Sequence, residues 1–215
     1  MEIIKYPQSC FMVKSDEKNI LVDPGNLLFK SEFLDEWKKA DFILITHSHG
    51  DHCFSDVLKE FNCPIYSTNE VKDRSGLDIK VVKSGDELDI EGIKIDVVDA
   101  KHGYMPWLTT FDAEINDGVG FIVEVEGKKI YFTSDTLCFK NDYKCDVLCA
   151  PVSAHGLVMG DFELVHFSKM VEANLVLPCH MENPKFPVDV EKMENVLSEL
   201  DVNYKVLGIE DSVEI

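Results

Sequence analysis

The chain begins as short apolar blocks cut by polar turns. Residues 2–5, 9–14 and 19–22 are brief apolar runs separated by Pro7 and by the polar stretch 15–18, a spacing that predicts a meander of strands. Asp23-Pro24-Gly25 ends the third run sharply. Residues 31–39 carry Phe33, Leu34 and Trp37 at helical spacing behind a capping Ser31. The wholly apolar run 42–45 then predicts a buried strand. Helix is expected at 54–61 and strand at 64–67, followed by a short helix and strands at 79–82, 87–90 and 93–98. Beyond a long loop, 99–118, the pattern predicts a hairpin of 119–126 and 129–133 turning at Glu126-Gly127. Buried strands at 146–150 and 175–177 flank a helix at 162–173, and 189–200 is the last helix. Each half thus runs from a meander into alternating strand and helix, which implies two mixed sheets packed together with helices outside.

Composition narrows the class. With 215 residues, 45% of them hydrophobic, residues 1–215 are expected to form one domain. No run approaches the roughly 20 apolar residues of a membrane span, and the N-terminus has no signal-peptide pattern. Seven cysteines without Cys-x-x-Cys spacing or a compact framework point to a reducing cytoplasm and, for most of them, to apolar filler. Cys179, next to His180, is the one with a candidate role. A net charge of −19 repels a polyphosphate backbone and argues against nucleic acid as a partner.

The chemistry is concentrated behind the apolar run 42–45. Thr46-His47-Ser48-His49-Gly50-Asp51-His52 holds three of the seven histidines. Imidazole and carboxylate suit borderline divalent cations, and a loop at a strand's end can aim alternate side chains at one point. Four donors in one turn exceed what a single tetrahedral ion takes from one segment, so two ions are expected. The plain alternative is a polar helix start, with Asp51 capping the helix at 54–61.

His-x-His-x-Asp-His after a hydrophobic strand resembles the signature of the metallo-β-lactamase-fold superfamily. The later motifs follow in order: Asp23 in Leu-Val-Asp-Pro-Gly, His102 in Asp-Ala-Lys-His-Gly, Asp135 in Thr-Ser-Asp-Thr and His180 in Leu-Pro-Cys-His. The resemblance implies an α+β, four-layer αββα sandwich in which His47, His49 and His102 hold one ion and Asp51, His52 and His180 a second. Asp135 would bridge the two, with Asp23 behind the ligands; Asp135 as a mere helix cap is the other reading of that residue. Two such cations, about 3.5 to 4 Å apart, lower the pKa of a shared water toward ~7 and clamp attacking and leaving oxygens. Zinc is the first expectation, with manganese and iron compatible.

Within the superfamily, the segment from Pro151 to Met159, with Pro178-Cys179-His180, is most similar to a compact group that includes ascorbate-6-phosphate lactonase and acylethanolamine-releasing enzymes. That group carries a histidine where this chain has Gln8, which counts against borrowing a substrate. His49 stands where the di-iron, oxygen-reducing branch has glutamate, and the tRNA-processing motif is missing near residues 150–153.

The expected function is metal-bound hydroxide attack on a small ester-like, lactone or phosphorylated molecule. Asp51 and His155 are the catalytic candidates, His155 as a proton donor or anion holder. A metal-binding regulatory protein without turnover and a nuclease of the same fold are the alternatives. Tyr104, Met105, Trp107, Leu108 and Phe111 are expected to wall the pocket or to pack on the core or a second subunit. Lys101 would steer an anion, His166 is a plain helix residue, and a homo-oligomer is left open.

Overall fold

The computed structural model describes residues 1–103, 117–153 and 155–215. Its first sheet begins with an antiparallel meander of β1 (Glu2–Lys5), β2 (Phe11–Lys14) and β3 (Asn19–Val22). It continues in parallel through β4 (Phe42–Leu44), β5 (Ile65–Ser67) and β6 (Ile79–Val81). The second sheet repeats the plan. β7 (Glu87–Ile90), β8 (Ile93–Asp99), β9 (Val119–Val125) and β10 (Lys128–Phe132) are antiparallel, and β11 (Val147–Pro151) and β12 (Leu175–Cys179) add in parallel.

Period-two side-chain alternation builds the layers. One face of each sheet contributes to a shared core: Val13, Val22 and Leu44 from the first meet Ile95, Phe121, Val123 and Phe132 from the second. The opposite face of the first sheet, through Met12, Leu21 and Ile43, packs under Phe33, Trp37, Leu58 and Val71. These come from a 3-10 turn (Ser31–Phe33) and the helices α1 (Leu34–Trp37), α2 (Ser55–Leu58) and α3 (Asn69–Ser75). The opposite face of the second sheet, through Tyr131, Leu148 and Val176, is covered by α4 (Asp161–Met170) and α5 (Val190–Glu199). In α5 the buried residues Met193, Val196 and Leu197 form one stripe, and Asp189 caps the helix by accepting the Lys192 N–H at 3.0 Å. The α+β, four-layer αββα sandwich is therefore the observed architecture.

The hairpin turn at Glu126-Gly127 has both residues at positive φ, 49° and 73°, a type I′ geometry suited to the strand twist. Elsewhere the boundaries move. β2 starts at Phe11 because Gln8 to Cys10 are used in a turn, with Cys10 N–H donating to Pro7 O at 3.2 Å. The helix expected at 31–39 is a 3-10 turn passing into α1, capped by Lys30 rather than Ser31, whose hydroxyl faces Glu32. The helix expected at 54–61 is regular only over Ser55–Leu58. An unanticipated strand, β13 (Ser212–Glu214), extends the first sheet beside β1. All seven cysteines are free, and no helix among the described residues is long and apolar enough to cross a membrane.

Candidate metal centre

β1, β3 and β4 run in one direction within the first sheet, as β8, β10, β11 and β12 do within the second. The segments that follow their C-terminal ends meet at one rim of the sandwich, where Val119 N–H donates to Thr46 O and His180 N–H to Gln8 O. The chain turns sharply there. Gln8, Asp23, Ser134 and His180 all have positive φ, at 58°, 47°, 67° and 65°. Left-handed backbone is costly for residues with a Cβ, and such strain concentrates where function needs a side chain re-aimed. Gly25 lets this rim close: a Cβ there would lie 1.8 Å from the Asp51 carbonyl oxygen.

Two donor groups meet at the rim. His47, His49, His102 and Asp135 bring ligand atoms within 4.8 Å of one another, and so do Asp51, His52 and His180. Asp135 lies between them. Its Oδ1 is 3.3 Å from His52 Nε2, and its Oδ2 is 3.2 Å from His180 Nε2 and 3.7 Å from His102 Nε2. Asp51 Oδ2 stands 3.4 Å from His180 Nε2.

Hydrogen bonds behind the cluster set which nitrogen faces inward. Asp23, buried, accepts the Thr46 N–H at 2.7 Å, the Thr46 hydroxyl at 2.7 Å and His52 Nδ1–H at 2.8 Å. His52 therefore presents Nε2 to Asp135. The Thr46 oxygen is 3.1 Å from His47 Nδ1 and can accept its proton, which leaves His47 Nε2 facing His49 Nδ1 at 3.1 Å. His102 Nδ1–H donates to the Gly103 carbonyl at 2.7 Å, again freeing Nε2. Partners of this kind fix tautomer and ring orientation in metal sites.

Electrostatics favour cations. His52 and His180 are buried, which alone would lower their pKa values, but the Asp135 carboxylate outweighs burial. With Asp23 beside His52 and Asp51 beside His180, the first is held well above 6.5 and the second is pushed up to about 9. The same imidazoles hold Asp135 and Asp51 well below the usual carboxylate range against the upward pull of burial. Burial and the neighbouring His52 push His47 well below 6.5, which keeps its ring neutral. Within this ring of charge His52 Nε2, His102 Nε2 and Asp135 Oδ1 are buried and make no hydrogen bond of good geometry, although Asp135 faces both rings at 3.3 to 3.7 Å. Orphaned buried donors and acceptors are costly, and in this N/O set a divalent cation is the partner that would satisfy them.

All the residues expected as ligands are thus in one cluster. The capping alternative for Asp51 fails, since α2 is entered through Phe54 with no side-chain cap. His155 is not among the clustered donors: its ring packs on Phe186 at 5.3 Å and its Nε2 is 3.3 Å from Pro187 O, while Leu157, two residues on, accepts Gly103 N–H at 2.8 Å. Lys101 is exposed, its Nζ 6.0 Å from the Phe139 ring centroid, and His166 is exposed on α4. Cys179 is buried 3.6 Å from Ser9 Oγ, its thiol pushed up to about 12 by burial, and is inert as a nucleophile. The aromatic loop expected over the site, Tyr104 to Phe111, lies outside the described residues.

The sequence pointed to Gln8 only as a departure from a histidine, without a role, and Lys5 and Glu182 were missed. Gln8 is buried with its amide 3.1 Å from Asp51, while Glu182 and the buried Lys5 stand behind it. The available signals were a lysine at an inward position of an apolar strand and a glutamine in the turn that follows.

Comparisons with known proteins give the family and the fold. The family described as β-lactamase superfamily domain matches residues 2–180. A metal-dependent hydrolase of Korarchaeum cryptofilum is 28% identical over 207 residues, covering 89% of this chain and 87% of that protein. A metallo hydrolase from the archaeon Ignicoccus hospitalis superposes with a TM-score of 0.79 at 20% identity, covering 99% and 98% of the two chains. An isothiocyanate hydrolase from Delia radicum gut bacteria superposes with a TM-score of 0.80 at 16% identity, covering 100% and 99%, a likeness of fold.

Proposed function

Because the chain belongs to the metallo-β-lactamase superfamily as a metal-dependent hydrolase, we propose that it works with two divalent cations, zinc in the first place, on a small ester-like, lactone or phosphorylated substrate. The observation that carries this reading is the pair of donor sets with Asp135 between them and with buried nitrogen and oxygen atoms left without a hydrogen bond. His47, His49 and His102 would hold one cation, Asp51, His52 and His180 the other, and Asp135 would contact both. When bound, the cations supply a water of lowered pKa and positive charge for the attacking and leaving oxygens.

The protein's own contribution is orientation and charge. Asp23 and Thr46 keep His47 and His52 turned inward, and the Asp51 and Asp135 carboxylates neutralise positive charge in a buried site. His155, on the loop that braces Gly103, is the proposed proton donor to the leaving group or holder of a substrate anion. Lys101, exposed beside His102, brings positive charge to a chain whose net charge is −19 and would draw in a compact anion rather than a polyanion.

The test is turnover against lactones, thioesters and phosphodiesters by the wild-type chain and by His49→Ala and Asp51→Ala variants. Hydrolysis lost in both supports the reading. Hydrolysis surviving both substitutions sinks it.

A further inference from the structure

Gln8 joins the two sheets where the second donor set is held. Its carbonyl accepts His180 N–H at 3.2 Å, its N–H donates to Glu182 Oε2 at 2.9 Å, and its Oε1 accepts Glu182 N–H at 3.2 Å. The last bond decides which end of the amide faces the centre: Nε2–H donates to Asp51 Oδ2 at 3.1 Å and lies 3.0 Å from His180 Nε2. Behind it, Lys5 Nζ, with its side chain wholly buried, donates to Glu182 Oε1 at 2.5 Å and to Tyr6 O at 2.9 Å. A buried lysine is retained only where it is paired, and here the pair ties β1 to the loop after β12. Gln8 is itself buried, at a φ of 58° that a glutamine adopts only when its surroundings hold it there.

We propose that Gln8, held by the Lys5–Glu182 ion pair, is a positioning residue that orients Asp51 through its side-chain N–H and His180 through its backbone carbonyl, and so sets the affinity of the second cation selectively. The proposal rests on the two-cation reading. Its physical basis is that a carboxylate free to rotate loses part of its advantage as a ligand, and removal of such an outer partner costs about 10- to 100-fold in metal affinity. His47, His49 and His102 make no contact with Gln8 among the bonds described, so the first cation should not respond.

The full chain, stripped with a chelator, is titrated with Zn2+ against a competing chelator and with Co2+ as an optical probe. Gln8→Met keeps the length but removes both polar ends. It is expected to weaken the second step about 10- to 100-fold and to leave the first within about threefold. Gln8→His restores an N–H donor and suits positive φ, so it should recover most of the loss. Glu182→Gln, which breaks the ion pair while leaving Gln8 in place, should give a smaller loss in the same step. A second step unchanged in Gln8→Met, or both steps weakened equally, overturns the positioning role. A wild-type chain that saturates at one equivalent instead overturns the two-cation reading, and with it the selective role.

Discussion

Asp23→Asn exchanges one carboxylate oxygen for an NH2 group at constant shape, at a residue that touches no proposed cation. The asparagine oxygen can still accept the Thr46 N–H, now at 2.7 Å. Its NH2 then faces two donors, the Thr46 hydroxyl and His52 Nδ1–H, which the carboxylate accepts at 2.7 and 2.8 Å. Two donors cannot face one another, so the ring is driven to give up its Nδ1 proton and keep the one on Nε2, the atom 3.3 Å from Asp135 Oδ1. His52 then presents N–H where the cation needs a lone pair. Two hydrogen bonds to a charged acceptor are lost or weakened, and at about 1.5–3 kcal/mol each, partly replaced by neutral ones, a net loss of about 2–3 kcal/mol of stability is expected in the metal-free protein. Affinity for the second cation should fall about 10- to 100-fold. Denaturant unfolding reads the first quantity, chelator competition with Zn2+ the second, and nitrogen-15 shifts of His52 report the tautomer directly. If His52 keeps its proton on Nδ1 and the second cation binds within about threefold of wild type, the orienting role of Asp23 is refuted.

Other outcomes follow from the same geometry. Gly25→Ala places a Cβ 1.8 Å from the Asp51 carbonyl, so the rim must open; thermal unfolding should show a loss of about 2–3 kcal/mol, with weaker uptake of the second cation. His180 has its pKa raised from 6.5 to about 9, so its contribution to the metal-free fold is fully present below pH 6.5 and is lost as pH rises through about 9. Over that window the metal-free protein should lose about 3 kcal/mol, whereas the Zn2+-loaded protein should not lose stability, because proton and metal compete for the same nitrogen. His155→Ala should lower kcat about 100-fold with metal content unchanged; equal turnover would remove His155 from the mechanism.

The parts of the molecule that could be read in advance are those whose signal is local. The apolar run into β4, the histidines packed behind it and the Glu126-Gly127 turn each announce themselves within a few residues. The pairing of His102, Asp135 and His180 with that cluster came from motif order, and topology explains it: parallel strands deliver their C-terminal ends to one rim. What was missed is long-range. Gln8 and Glu182 are 174 residues apart, and only the packing of one sheet on the other makes their mutual bonds. β13 is a short strand, with no buried residue, that exists because β1 offers it an edge. In the segment 31–39 the spacing told correctly that Phe33 and Trp37 are buried together, but not that the segment opens as a 3-10 turn before α1.

The most direct test of the two-cation hydrolytic centre is turnover measured while Zn2+ is returned to chelator-stripped protein, using the best substrate from the lactone, thioester and phosphodiester panel. The metal-free chain should be inactive, and activity should reach its plateau only as a second equivalent binds. Full turnover without metal, or a plateau at one equivalent that Asp51→Ala leaves untouched, would contradict the account.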